Sequence, residues 1–362
     1  MNPRLRPAHS CAGRASALSC AGIPVLLFVL CSLLLCTTVT ATATPAVCRP
    51  QQAQRSPDRL LQSPTDNYVA GMEFMESWQS KRMPLKIYFQ PSNDVPGFDP
   101  RYLDEFKAAC DEWAKATENR VSFQTVEEQK DSDIEVSWTT ELAPDLVHSA
   151  AIGATWPKTI PGEGIDHARI ALLTFFEKRH LSLKAMRWAA MHELGHALGL
   201  GHSVRKADVM YKTVLISNTK PGDMSEVVPE NPNVSLTARD GTTMNVVYAA
   251  KKIIDGVRAK GLDVRNTCHE LCRASANCIT NGDSGSAIIV LNEILRLDSS
   301  YSPASDNLIA AYYNCGAALY NKQNYEEARK VLERAMTLGQ KVGDKNALTA
   351  IVGVYRNCQQ RH

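Results

Sequence analysis

Met191-His192-Glu193-Leu194-Gly195-His196-Ala197-Leu198-Gly199-Leu200-Gly201-His202-Ser203 is the stretch that decides how this chain folds. Side chains four apart on a helix project from one face, so His192 and His196 can both reach a single ion at about 2.0–2.1 Å. Glu193 is next to a ligand but turned off the histidine face, placed to take a proton from a metal-bound water instead of binding the metal. Gly199 can end the helix with positive φ and swing the chain back, which delivers His202 as a third ligand. Three neutral imidazoles leave a tetrahedral Zn²⁺ one open position, and a water held there has its pKa lowered to about 7. A structural site would instead be closed by a fourth protein ligand. A bare His-Glu-x-x-His can arise by chance in a helix, but here both glycines and the third histidine fall in step with it.

Upstream, Leu85-Lys86-Ile87-Tyr88-Phe89 alternates like a strand after Pro84, and a short helix is expected between Tyr68 and Gln79. Asp99 and Pro100 stand as N-cap and first helical residue, followed by Tyr102, Leu103, Phe106, Ala109, Cys110 and Trp113 at helical spacing. Further strands are expected over Arg120–Val126, Asp133–Trp138, Ala150–Trp156 and, past a Pro/Gly turn at 157–164, Ile165–Thr174. A strand, a helix, four strands and then a helix from about Leu183 describe an α+β arrangement, a mixed twisted sheet over an active-site helix.

With these residues in place, the chain resembles a metzincin metalloprotease and, within that clan, a matrixin. Ser203 directly after the third histidine is the matrixin choice, and Asp208-Val209-Met210-Tyr211 falls where the family has its Met-turn, with Met210 as the methionine beneath the metal. Ser132-Asp133-Ile134-Glu135-Val136 resembles a characteristic strand of the family, and Leu236–Asp240 through Val247-Tyr248 its closing helix. The resemblance implies a zinc endopeptidase whose peptide or protein substrate lies antiparallel to the edge strand. Substrate-binding residues are then expected at Ile152, Gly153 and Ala154, with Tyr211 beside the pocket.

Three departures stand out. Gly153 and Thr155 occupy the edge strand where vertebrate matrixins bind a second, structural zinc, so one catalytic Zn²⁺ and no structural Zn²⁺ are expected, and calcium is left open. His148 and His167 are read as surface or hydrogen-bonded strand residues. The family's cysteine latency motif is absent, Cys48-Arg49-Pro50 holding the first thiol beyond residue 43, and Lys212–Ser235 is longer than the usual segment after the Met-turn.

The ends of the chain carry other signals. Arg4, Arg6 and Arg14 precede an apolar stretch, Ile23–Leu35, that falls short of the roughly 20 residues a membrane helix needs. It reads as a signal peptide over 1–43, cleaved after Ala41-Thr42-Ala43, giving a secreted or periplasmic protein; the alternative is an anchor retained through residues 23–39. A Pro-, Gln- and Ser-rich linker or pro-segment, 44–77, follows. Over the full 362 residues the net charge is +2, and without the three leader arginines it is −1, so no nucleic-acid partner is expected. Eleven cysteines include four in the leader. The remaining seven could close at most three bridges in an oxidising compartment, or pack as small buried hydrophobes.

Beyond the catalytic module, placed at 78–249, the region 250–362 reads as all-helical. With Ile309 as position 1, Tyr312, Cys315, Gly316, Leu319, Ala328, Leu332 and Ala335 match the tetratricopeptide (TPR) pattern. A weaker copy begins near Cys268, Asp344–Cys358 forms a further helix, and Glu326-Glu327 read as a solvated helix start. Such arrays bind protein partners on a concave face. The reading is thus an exported zinc endopeptidase with a TPR-like domain; the competing class is an inactive metzincin-like scaffold that only binds proteins.

Overall fold

In the main sheet, apolar residues alternate with polar ones. Ile134, Val136 and Trp138 are buried on one face of β3 (Ile134–Thr139), while Glu135, Ser137 and Thr139 are half-buried on the other. β1 (Leu85–Phe89), β2 (Phe123–Thr125), β4 (Gly153–Ile160) and β5 (Gly164–Leu173) complete the sheet in the order β2-β1-β3-β5-β4. β1 pairs parallel with β2 and β3, β3 pairs parallel with β5, and β4 runs antiparallel to β5 along the edge. A computed structural model describes residues 66–73, 76–142, 151–176, 178–212, 226–227 and 234–361. The expected leader at 1–43, Cys48, His148, Ala150 and most of Lys212–Ser235 lie outside them.

Several expected boundaries move. β2 is shorter than Arg120–Val126, and β4 starts at Gly153 and continues past Trp156 to Ile160. Pro157 sits within β4 opposite Ala168 rather than in a turn, because an edge strand can lose one N–H without breaking an interior ladder. The turn therefore shrinks to Pro161–Glu163. The helix expected over Tyr68–Gln79 is a single 3₁₀ turn, Val69–Gly71. Tertiary partners override its helical spacing: Tyr68 N–H donates to Thr243 Oγ1 at 3.2 Å, and Trp78 bridges to Ile165.

The first helix, α1 (Arg101–Ala116), buries Tyr102, Phe106, Ala109, Cys110 and Trp113. It starts one residue later than expected, with the Asp99 carboxylate accepting from Arg101 N–H at 2.9 Å. Phe106 meets Phe89 edge-on, with ring centroids 5.5 Å apart, fixing the helix under the sheet. Beside it lies α2 (Leu183–Ala197), the expected active-site helix, capped by Ser182 Oγ accepting from Ala185 N–H. Between β5 and α2 the chain forms β6 (Phe175–Phe176) and β7 (Arg179–Leu181), with β8 (Glu226–Val227) pairing parallel to β7.

Six helices follow: α3 (Ala238–Arg258), α4 (Val264–Thr280), α5 (Ser284–Leu297), α6 (Ser302–Asn321), α7 (Tyr325–Val342) and α8 (Lys345–Gln359). Thr237 and Asp240 form a capping box at α3, and Asp263, Asp283 and Asp344 cap α4, α5 and α8. α3 passes positions 249 and 250 unbroken, so the boundary expected there falls inside a helix. A single cluster of buried apolar residues extends from Tyr68 to Cys358 and joins the sheet, α2 and the C-terminal helices.

Cys110, Cys268, Cys272, Cys278, Cys315 and Cys358 are free thiols, all buried except the half-buried Cys315. Among the described residues the cysteines thus pack as small apolar side chains and form no bridge. Glu327 is not solvated as expected: it is 3% exposed and ion-paired. Among the described residues, no helix is long and apolar enough to cross a membrane.

Candidate metal centre

Helix α2 sets the site. It is buried on most of its surface, and small residues, Ala185, Ala189, Ala190 and Ala197, let neighbours approach from several sides. Side chains from three directions hold it: Trp113 Nε1 donates to Met191 O at 3.0 Å within the helix, while at its C-terminal end Trp78 Nε1 donates to Ala197 O at 2.8 Å and Tyr248 Oη to Leu198 O at 3.2 Å.

The helix stops at Gly199, whose φ is +106°. Gly199 N–H donates to His196 O and Leu200 N–H to Gly195 O, the paired bonds of a Schellman turn. A Cβ at Gly199 would also lie 1.7 Å from Glu76 O, so position 199 has neither the conformation nor the room for a side chain. The turn sends the chain back and brings His202 over the helix.

His192, His196 and His202 come together. His196 Nε2 lies 3.1 Å from His192 Nε2 and 3.2 Å from His202 Nε2. His192 Nδ1 faces Val209 O and His196 Nδ1 faces Leu200 O, each at 2.8 Å. A carbonyl only accepts, so both Nδ1 atoms carry the proton and both Nε2 atoms turn bare lone pairs toward one point. Lone pairs that close repel unless a cation lies between them. A tetrahedral ion with ligands at 2.0–2.1 Å sets nitrogens about 3.3 Å apart, so the spacing fits a metal. The three histidines can hold one metal ion, and a set of three imidazoles suits Zn²⁺ with one position left open.

Burial disfavours the charged form of all three rings. It lowers His192 well below the usual range, with His196 adding to the effect, and takes His196 down to about 4, with His202 contributing. His202, less covered, is lowered chiefly by the same desolvation. Trp188 stacks on His192 with centroids 4.9 Å apart and closes one side.

Glu193 is 7% exposed, and burial pushes its carboxyl up to about 7, opposed by Thr155. Thr155 Oγ1 lies 2.7 Å from Glu193 Oε2 and 2.9 Å from the Glu193 backbone carbonyl, tying the edge strand β4 to α2. A Cβ at Gly153 would stand 2.7 Å from Glu193 Cγ, so β4 lies directly against the glutamate. Ile152 is buried just before β4, its carbonyl accepting from Leu173 N–H at 2.9 Å, and Ala154 is half-buried opposite Ala171. Met210 is fully buried against α2, close enough to Gly195 that a Cβ there would meet its Sδ at 2.3 Å. Tyr211, half-buried, bridges to Ser203. His167, half-buried in β5, has Nε2 3.2 Å from Glu135 Oε1.

The matrixin family model matches residues 77–227. The match supports a matrixin-type metzincin domain over that segment, and with it a zinc metalloprotease class; it ends before α3 and the helices that follow. No curated protein matches the chain.

Sequence reasoning missed the groups that hold the site. Thr155 was legible only as a missing structural ligand. Asp208, Arg239, Asp240 and Glu327 form a buried polar cluster behind the Met-turn, in which Arg239 Nη1 donates to Asp208 Oδ2 at 2.5 Å and also pairs with Glu327. Asp208 stood out only as part of the Met-turn and Arg239 as part of a helix start, and no local spacing links either to residue 327.

Equilibrium dialysis against Zn²⁺ is expected to give one ion per chain. His196→Ala should weaken binding beyond the roughly 10–100-fold that loss of an outer-shell partner costs; unchanged affinity in that variant would place the ion elsewhere.

Proposed function

We propose that this chain is an exported zinc-dependent endopeptidase of matrixin type, carrying a TPR-like helical region that docks a protein partner or substrate. The observation that carries the reading is the meeting of three histidine Nε2 atoms beside a buried carboxylate and an edge strand. The family match over 77–227 supports the same class. The hairpins α4–α5 and α6–α7, with Gly316 packed on Leu332, support the TPR-like part. Export rests on residues 1–43, and the mature chain recovered outside the cytoplasm should begin at Thr44; recovery of an intact N-terminus would favour the anchored alternative.

When bound by His192, His196 and His202, Zn²⁺ supplies Lewis acidity toward the scissile carbonyl and acidifies the attacking water. The chain's own residues do the rest. β4 offers its outer edge to an extended peptide, with Gly153 against Glu193 and Ile152 and Ala154 on either side of it in the chain. Glu193, steadied at Oε2 by Thr155, takes the water proton as hydroxide adds to the carbonyl carbon. It then returns that proton to the amide nitrogen as the carbon–nitrogen bond breaks. Met210 supports the histidines from below, and Tyr211 lies at the start of the wall after the scissile bond.

Glu193→Gln keeps shape and removes the base. It should retain one zinc per chain and lower kcat on a casein-derived peptide by at least about 10²-fold; full proteolysis by this variant would remove Glu193 from the mechanism.

The base is ionised only above its pKa, so kcat/KM falls as pH drops through that value, which a bound dication brings below the metal-free figure of about 7. Thr155→Val deletes the hydrogen bond that favours the carboxylate, so the acid limb of kcat/KM should move to higher pH. An unmoved limb would mean that another group sets it.

A further inference from the structure

Glu327 belongs to α7, a hundred residues beyond the end of the matrixin match, yet its carboxylate is buried behind the Met-turn. Arg239 Nη2 donates to Glu327 Oε1, while Nη1 donates to Asp208 Oδ2 at 2.5 Å and lies 3.1 Å from Ser203 Oγ. Ser203 Oγ itself donates to Asp208, and its backbone N–H donates to Met210 O at 2.7 Å. Val209, between Asp208 and Met210, accepts from His192 Nδ1 and donates its N–H to Asp240 Oδ2 at 3.1 Å. Arg205 adds a second tie, its Nε 3.2 Å from Glu327 Oε2 and its Nη1 3.0 Å from Asp66 Oδ2. Two guanidinium groups and four carboxylates thus bind the loop from Ser203 to Tyr211 to a helix of the C-terminal region.

Resting on the protease reading above, we infer that Glu327 is a positioning residue of the metal centre and that the C-terminal helices are part of its frame. The guanidinium is a rigid planar fork, so fixing Nη2 at Glu327 also fixes the direction in which Nη1 meets Asp208 and Ser203. Ser203 follows His202 directly, and Asp208 precedes Val209, the acceptor for His192. A fork freed at one end can turn, and the third histidine and the tautomer-setting carbonyl turn with it. Neutralising Glu327 therefore acts on metal affinity and turnover at a distance, and displacement of α7 does the same.

The test compares full-length Glu327→Gln with Ile351→Ala, which removes a 1%-exposed side chain from α8 without touching the network. Chelator competition should show the zinc Kd of Glu327→Gln raised about tenfold, in the range of outer-shell substitutions. Hydrogen exchange at the Ser203 and Val209 amides of the metal-free protein should quicken, and kcat should fall about tenfold with KM unchanged. Ile351→Ala should lower thermal stability and leave all three readings at the wild-type level. Should Glu327→Gln not fold, Arg205→Gln loosens the same carboxylate from a half-buried position and should shift the readings in the same direction by about threefold. Wild-type affinity and exchange in both variants, or equal losses in Ile351→Ala, would overturn the inference. A wild-type chain that binds zinc and shows the exchange effect but cleaves no peptide would instead overturn the protease reading and leave the positioning role standing.

Discussion

The bond from His192 Nδ1 to the carbonyl of Val209 is the interaction on which the site depends. It fixes the tautomer and rotation of a buried imidazole, and it does so from a loop, not from the helix that carries the ring. A helix alone can align His192 and His196, but it cannot decide which nitrogen of each faces inward. The loop must therefore be held as firmly as the helix. Its second bond to the site, Ser203 N–H to Met210 O, closes the same loop across its base. The Schellman turn at Gly199 determines where that loop begins, and Asp240, which takes Val209 N–H while capping α3, determines where it ends.

Holding a loop in the interior with charged groups needs electrostatic balance. An isolated carboxylate or guanidinium loses several kcal/mol of hydration on burial, and only close pairing returns it. Arg239 is 5% exposed and faces Asp208, Glu327 and Asp66, so the pairing surplus is acidic. Arg205 shares Glu327 and Asp66 and reduces that surplus. Tyr68, with Arg239 4.9 Å above its ring and its hydroxyl 3.0 Å from Asp240, covers the cluster on the N-terminal side. The segment that precedes the family match and the helices that follow it thus meet behind the metal site.

This division explains what could be read in the sequence. The histidines, Glu193 and Gly199 lie within eleven residues, and their meaning comes from helical spacing and one turn, both local properties. The strands were legible wherever alternation was clean, as in β1 and β3, and were misplaced where an edge strand absorbed a proline at 157. The expected helix over Tyr68–Gln79 failed because partners at 165, 197 and 243 claim its residues, and no window along the chain contains them. Glu327 failed for the same reason in the opposite sense: at the start of an amphipathic helix, beside Glu326, it has every local mark of a solvated residue. Only the arrival of Arg239 and Arg205 from elsewhere makes its burial tolerable.

Domain boundaries follow the same logic. The family match ends at Val227, yet α3 continues the core of the matched domain through Met244 and Val247 and reaches the helical region through Val246, against which a side chain at Gly285 would clash. α3 is therefore shared: its first turn closes the Met-turn, and its flank receives α5. A helical array attached in this way has one side packed against the matched domain. Its first hairpin, α4–α5, abuts α3, and its second, α6–α7, delivers Glu327. What joins these helices to the loop behind His192 is packed side chains and an ion-paired fork, not a flexible tether.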